Sequence, residues 1–379
     1  MRKCIIIPDS FKGTMSSQEV CSIIERTIKK HYPHCDAISI PVADGGEGTV
    51  DCFLSSMQGE KVYVSVENAF GEKIRCFYGR FDNMAVIEMA AAAGMVSNDK
   101  RDPMTASTYG VGQLIKHAVA GGCTKIILGL GGSCTNDAGT GMTAALGTIF
   151  SDSEGRNFIP SGGTLADVCT IDNSRTEELL SGVEVCCMCD INNTMYGREG
   201  AAYVFAPQKG ADREQVELLD YNLRRFAETI NDCMHMDVSE LVSGGAAGGM
   251  GAGAYVFLGA KLARGIELVL DVVGFDSKLD NCDCVFTGEG RFDSQSLGGK
   301  VVVGVAGHAK AHGVPVIAVA GAAEDNIDSG LLQDIGIMRL YTTSKENESM
   351  EEIRKNCRDN LSAAMDKIMY ELNSVEKPA

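Results

Sequence analysis

Apolar and polar positions change period three times along this chain. Cys4 to Ile7 is a continuous apolar run that stops at Pro8-Asp9, the pattern of a buried strand. Ser16 and Glu19 then form a capping box, and Val20, Ile23, Ile24, Thr27 and Ile28 recur at helical spacing. A second strand is expected over Ala37–Val42, with a polar loop at Asp44–Thr49 and another helix behind it. This β-α-β-α opening predicts a parallel sheet with right-handed crossovers, whose ligands collect at the carboxyl ends of the strands.

The period then shortens. Lys61–Glu67, Lys73–Arg80 and Met84–Met89 alternate and are separated by turn residues, which predicts antiparallel hairpins. Further on come a helix near Gly110–Ala120, a strand at Lys125–Leu128 and a helix over Ala138–Leu146. A strand at Val183–Met188 and a long helix at Arg213–Asn231 follow, the helix with Val216, Leu219, Leu223, Phe226 and Ile230 inward. After about Asp271 the β-α alternation returns: strands at Cys284–Thr287, Val314–Ala320 and Met338–Thr343, helices at Val301–His312 and Ser349–Leu372. The expected fold class is α/β with two domains. Residues 1–61 and 272–379 make a doubly wound parallel-sheet domain, and residues 62–271 an inserted α/β domain carrying the hairpins.

Composition narrows the partners. A formal net charge of −17 argues against nucleic acid or an anionic membrane. No apolar run approaches the roughly 18–20 residues of a membrane span. No basic-then-apolar leader precedes the first strand, and 15 cysteines at mostly apolar positions suit a reducing compartment, so a cytoplasmic location is expected. Cys186, Cys187 and Cys189, and likewise Cys282 and Cys284, lack zinc-site spacing, so a thiolate metal site is not expected. The number of subunits stays open, and a homodimer is one option.

Candidate chemistry gathers in polar, glycine-rich stretches. The densest is Leu128–Met142, in which Gly131, Gly132, Ser133, Thr135, Asn136 and Asp137 lie between a strand and a helix. Glycines there allow close backbone approach to an anion, and a helix N-terminus beyond offers N–H groups, while Asp137 could face a metal or a hydroxyl. The bland alternative is a turn that binds nothing. A second glycine patch runs from Ser243 to Gly251 and includes Gly248 and Gly249. Loops also follow the first strand (Asp9-Ser10-Phe11-Lys12-Gly13) and the Cys284 strand (Gly288-Glu289-Gly290-Arg291-Phe292-Asp293).

Taken together, these stretches resemble the bacterial glycerate kinase type-1 family. The matching runs are Pro8–Gly13, Ala43–Thr49, Gly131–Asp137, Pro207–Ala211, Gly244–Gly251, Gly259-Ala260, and Thr287–Asp293 with Gln295, Gly299 and Lys300. They stand in family order over nearly the whole chain. The resemblance implies a flavodoxin-like domain with an inserted α/β domain, and ATP-dependent phosphorylation of D-glycerate, usually to 2-phosphoglycerate. One departure lies beyond Asp190: the family usually has Asn-Pro-Leu where this chain has Asn193-Thr194-Met195.

Such a kinase needs phosphate cradling, Mg²⁺, a carboxylate clamp and a base. Gly131, Gly132, Ser133, Thr135, Asn136 and Asp137 are first choice for the phosphates, Gly248 and Gly249 second. Asp44, Glu47, Glu289 and Asp293 are metal candidates, since Mg²⁺ takes one or two carboxylates beside phosphate and water. Lys12 and Lys300 could neutralise the transferring group, and Asp9, Ser10 and Arg291 could hold glycerate. Asp190, at a strand end, is the candidate general base. His308 and His312 share a helix face, which an exposed helix explains. No Walker A motif is present, because Val301 follows Lys300. An NAD(P)-dependent oxidoreductase would use Gly249-x-Gly251-x-x-Ala254 and Asp271, but a strand must precede that fingerprint and Ser239–Gly248 does not read as one. A non-catalytic glycerate or nucleotide sensor is the third option.

Overall fold

The computed structural model of the chain describes residues 1–43, 45–95, 100–293, 296, 301–324, 327–344 and 348–375. In chain order, β1 (Lys3–Ile6), α1 (Ser17–His31) and β2 (Asp36–Ser39) come first, then α2 (Thr49–Ser56). β3 (Glu60–Glu67), β4 (Lys73–Phe81) and β5 (Met84–Glu88) lead to α3 (Ala90–Ala93) and α4 (Tyr109–Ala120). β6 (Lys125–Gly129), α5 (Thr140–Leu146), β7 (Ile149–Ser151), β8 (Asn157–Phe158), β9 (Thr170–Asp172) and α6 (Ser174–Leu179) follow. Next are β10 (Glu184–Met188), α7 (Ala201–Phe205), α8 (Arg213–Met234), α9 (Ala246–Leu258), β11 (Lys261–Ala263) and α10 (Gly265–Val272). The chain continues with α11 (Phe275–Lys278), β12 (Cys284–Phe292), α12 (Val301–Ala311) and β13 (Val316–Ala323). It closes with α13 (Ser329–Asp334), β14 (Ile337–Thr342) and α14 (Met350–Val375).

Two compact units result. The first comprises Met1–Ala43, Ser55–Met57 and Ile266–Ala379. Its sheet runs β2-β1-β12-β13-β14, parallel throughout. Counted within the unit, that order is 2-1-3-4-5, the flavodoxin-like arrangement with its switch point between β1 and β12. Cys4, Ile6, Phe286, Ile317 and Val319 pack with the apolar faces of α1 and α14. The capping box of Ser16 and Glu19 forms as expected, and Val20, Ile23, Ile24, Thr27 and Ile28 are all buried.

The second unit comprises Asp44–Leu54 and Gln58–Gly265. Its main sheet runs β11-β10-β6-β5-β4-β3: the first four strands are parallel, and β4 and β3 are the expected antiparallel hairpins. A small antiparallel sheet, β8-β7-β9, lies apart from it. The first crossing between units thus comes at residue 43/44, ahead of the 61/62 boundary the alternating pattern predicts. The reason is local: the Val50 N–H donates to the buried carboxylate of Glu88 at 2.7 Å, Lys61 pairs with Asp51, and Phe53 packs on Phe81.

Three elements differ from expectation. Gly288–Phe292, expected as a loop, continues β12 and pairs with β13 as far as Phe292 opposite Ala323. Its glycines concealed a strand that a neighbouring ladder stabilises. α5 starts at Thr140 instead of Ala138, because Ala138 and Gly139 have φ of +52° and +75°. α9 begins inside the second glycine patch, with left-handed backbone at Ala247, Gly248 and Gly249.

Candidate functional site

Each unit has a cavity at the carboxyl ends of its parallel strands. In the first unit it lies at the switch point and encloses about 410 Å³. Asp9, Ser10, Lys12 and Thr14 come from the loop after β1, Glu289, Arg291 and Asp293 from the end of β12, and Thr343 and Ser344 follow β14. The Asp9 N–H donates to the Gly288 carbonyl at 2.8 Å and Asp9 Oδ1 accepts from the Ser10 N–H at 2.6 Å, which fixes the loop against β12. Arg291 Nε stands 3.9 Å from Asp293 Oδ2, and Glu289 is buried. Two cations and three carboxylates thus face one space, a donor set able to hold an anion together with a divalent cation.

The cavity of the second unit is smaller, about 210 Å³. It is lined by Gly131, Gly132 and Ser133 after β6, by Asp190 after β10, by Gln208 and Lys209, and by Ala246 and Ala247 of α9. Asp190 Oδ1 accepts from the Gly265 N–H at 2.8 Å. Beyond Asp190, Asn193 Nδ2 donates to the Glu199 carbonyl, and the Asn193 carbonyl accepts from the Gly245 N–H at 3.0 Å. Lys209 is 2% exposed, and burial lowers its pKa to about 8.

A model of the glycerate kinase family matches residues 4–373. The chain is 40% identical to a glycerate kinase of Bacillus cereus over 95% of both chains. It is 40% identical to the glycerate 2-kinase of Escherichia coli over 96% of both. The crystal structure of a protein assigned as glycerate kinase 2 from Salmonella typhimurium LT2 superposes with a TM-score of 0.86 at 39% identity, covering 99% of each chain. The chain belongs to the glycerate kinase family. It is accordingly an enzyme, a phosphotransferase, and its α/β fold is the family's.

Within this glycerate kinase fold, the predicted residues divide. Asp9, Ser10, Lys12, Arg291, Glu289 and Asp293 share the first cavity. Asp190, Gly131, Gly132 and Ser133 share the second. Glu47 is exposed and lines neither cavity, while Asp44 and Lys300 lie outside the described residues. Asp137 faces no open space. It is wholly buried, and its Oδ2 accepts from the Thr108 N–H (2.7 Å), the Thr108 hydroxyl (2.8 Å) and the Gly141 N–H (3.3 Å). Its Oδ1 accepts from the Gly139 N–H, and burial raises its pKa in spite of these donors. The amides expected to greet a phosphate at α5 are therefore occupied within the fold.

Thr135 and Asn136 are buried behind the loop instead of lining it. Gly248 and Gly249 pack on that same loop: a Cβ at Gly248, whose φ is +71°, would stand 2.2 Å from the Thr135 carbonyl. These two glycines serve backbone packing, and Ala246 and Ala247 beside them reach the cavity. Gly249 follows a left-handed stretch and no strand, which removes the dinucleotide fingerprint. His308 bridges Asp276 and Glu267 at 2.8 and 3.1 Å, a surface ion-pair role.

Sequence motifs do not distinguish Lys209 and Gln208 as individual residues, although the Pro207–Ala211 run carries part of the family likeness. Glu88 is a second omission. It takes up the N–H groups of Gly48 and Val50 at the start of α2, and its pKa is raised by burial. Among the described residues, no helix is long and apolar enough to cross a membrane, and no cluster of three or more His, Cys, Asp or Glu side chains forms a metal cage.

Proposed function

We propose that the chain transfers the γ-phosphoryl group of ATP to the 2-hydroxyl of D-glycerate, giving 2-phosphoglycerate. The observation that carries this reading is the 40% identity to a glycerate 2-kinase across 96% of both chains. The cavity of the second unit suits glycerate, and that of the first has the charged groups to hold a phosphate-bearing ligand. Size supports this division, since about 210 Å³ suits a small acid and about 410 Å³ a larger ligand.

Donor supply supports it too. In the loop after β6, the N–H groups of Leu130, Gly131 and Cys134 already serve the carbonyls of Met188, Gly45 and Ala93. Among the loop residues that line the cavity, that leaves the amides of Gly132 and Ser133, enough for one small oxyanion. The phosphate role that sequence motifs assign to Gly131–Ser133 thereby becomes a substrate-binding one. Asp190 accepts the hydroxyl proton as the phosphoryl group moves.

Lys12, Ser10 and Arg291 hold phosphate oxygens. Glu289 and Asp293 would hold Mg²⁺, which when bound neutralises charge on the phosphates. A reducing, cytoplasmic setting suits 15 thiols free of disulfides.

A phosphorus NMR spectrum of the protein with Mg²⁺, ATP and D-glycerate tests the reading. Growth of a 2-phosphoglycerate signal with ADP is expected. A 3-phosphoglycerate signal overturns the regiochemistry, and intact ATP overturns the reaction.

A further inference from the structure

We infer that Lys209 is the cationic anchor for the substrate carboxylate in the cavity of the second unit. This rests on the reading that the cavity takes the hydroxy acid. Lys209 ends a 3-10 turn, Pro207–Lys209, and lines the cavity together with Ser133 and Asp190. An ammonium has three N–H donors. One serves the Thr135 carbonyl at 2.6 Å, and among the described residues no carboxylate pairs with this lysine. Burying an ammonium without a counter-ion is costly, so a lysine needed only to tie one carbonyl is an expensive choice at that position.

A second observation points the same way. Thr135 Oγ1 and both ends of the Asn136 side-chain amide are buried without a hydrogen-bond partner. They lie behind the loop, beside the carbonyl that Lys209 grips, so the packing around that carbonyl leaves polar groups unsatisfied. A 2-hydroxy acid matches what the cavity offers: its carboxylate supplies the missing negative charge to Lys209, and its hydroxyl the proton donor to Asp190. The terminal phosphate of ATP carries the same charge, and the test separates the two.

Among the described residues, the charged and titratable groups about Lys209 are Asp190 and Cys189 in the cavity, Asp137 and Cys134 behind it, and Arg101, which donates to the Gln208 carbonyl at 2.9 Å. Burial pushes Cys134 up to about 11 and raises Cys189 as well, while it lowers Lys209 to about 8. A bound carboxylate raises its pKa and draws a proton from solvent.

The experiment is calorimetric titration of D-glycerate, and separately of Mg·ATP, at about pH 8.5 in two buffers of different ionisation enthalpy. Wild type, Lys209→Met and Lys209→Arg are compared. Wild type should take up protons with glycerate. Lys209→Met should lose that uptake and bind glycerate at least about 30-fold more weakly, with ATP affinity unchanged, and Lys209→Arg should recover part of the loss. Unchanged glycerate affinity in Lys209→Met, or a loss confined to ATP, overturns the assignment. Should Lys209→Met fail to fold, Lys209→Arg and Lys209→Gln carry the comparison, and glycerate affinity unchanged in both is the contrary result. An enzyme that forms 2-phosphoglycerate but whose Lys209 variants bind glycerate as tightly as wild type refutes this inference and leaves the proposed reaction standing.

Discussion

Asp137 accepts hydrogen bonds from both the backbone N–H and the hydroxyl of Thr108, at 2.7 and 2.8 Å, in a wholly buried setting. This pair joins the start of α4 to the loop before α5, and it gives the most acidic-looking residue of the glycine motif a structural task. Asp137→Ala would leave the Thr108, Gly139 and Gly141 donors without their acceptor. The expected loss is about 3 kcal/mol of unfolding free energy. Urea denaturation followed by circular dichroism checks it, as the chain has no tryptophan. A variant of normal stability with lost activity would return Asp137 to the reaction.

Asp190→Asn separates chemistry from binding. The amide oxygen can still accept from the Gly265 N–H, so the loop should keep its course. We expect kcat to fall by about 100- to 10,000-fold with KM for glycerate changed by no more than about threefold. Steady-state kinetics reads both values. A rise in KM with kcat nearly unchanged would mean that Asp190 holds substrate without moving a proton.

Glu289→Gln tests the metal. The substitution keeps size and removes charge beside Asp293 in the first cavity. The Mg²⁺ concentration for half-maximal rate should rise about tenfold or more. Activity titrated with Mg²⁺ at saturating ATP measures it, and an unmoved midpoint would assign Glu289 a structural role at the end of β12.

Lys209 leaves a signature in the ligand-free protein. Its pKa is about 8 when folded and 10.5 when exposed, so between those values the unfolded chain binds more protons. Stability should therefore rise with pH from 8 to 10.5, and that gain is lost as pH falls through 8. Lys209→Met should lack this slope. The comparison is made with thermal unfolding curves for both proteins across the window; parallel curves would place the lysine in water.

Much of the fold could be read from period and punctuation. The capping box of α1, the alternation of β3 to β5 and the inward stripe of α8 each arise from local residues. What stayed hidden depends on neighbours distant in sequence. The Gly288–Phe292 stretch is a strand only because β13 lies beside it.

The site followed the same rule. Asp190, Ser10 and Arg291 stand at strand ends, where topology alone gathers ligand-binding groups. Lys209 could not be distinguished in sequence from any lysine in a turn, since its meaning comes from burial against Thr135. The glycines at 248 and 249 pack on the 135–138 backbone, which no motif announces, because a glycine that admits a phosphate and one that admits a neighbouring backbone look alike until the neighbour is known.

The first unit draws its central ladder from both ends of the chain: Cys4 pairs in register with Cys284. During synthesis β1 and β2 leave the ribosome long before β12 exists. At common elongation rates they wait on the order of tens of seconds with one flank of β1 unpaired. The second unit can complete its own sheet in that interval. The order of assembly is therefore the reverse of the order of translation, and a chain cut short before β12 would carry a finished insert and an exposed, apolar first strand, a marked target for chaperones and proteases.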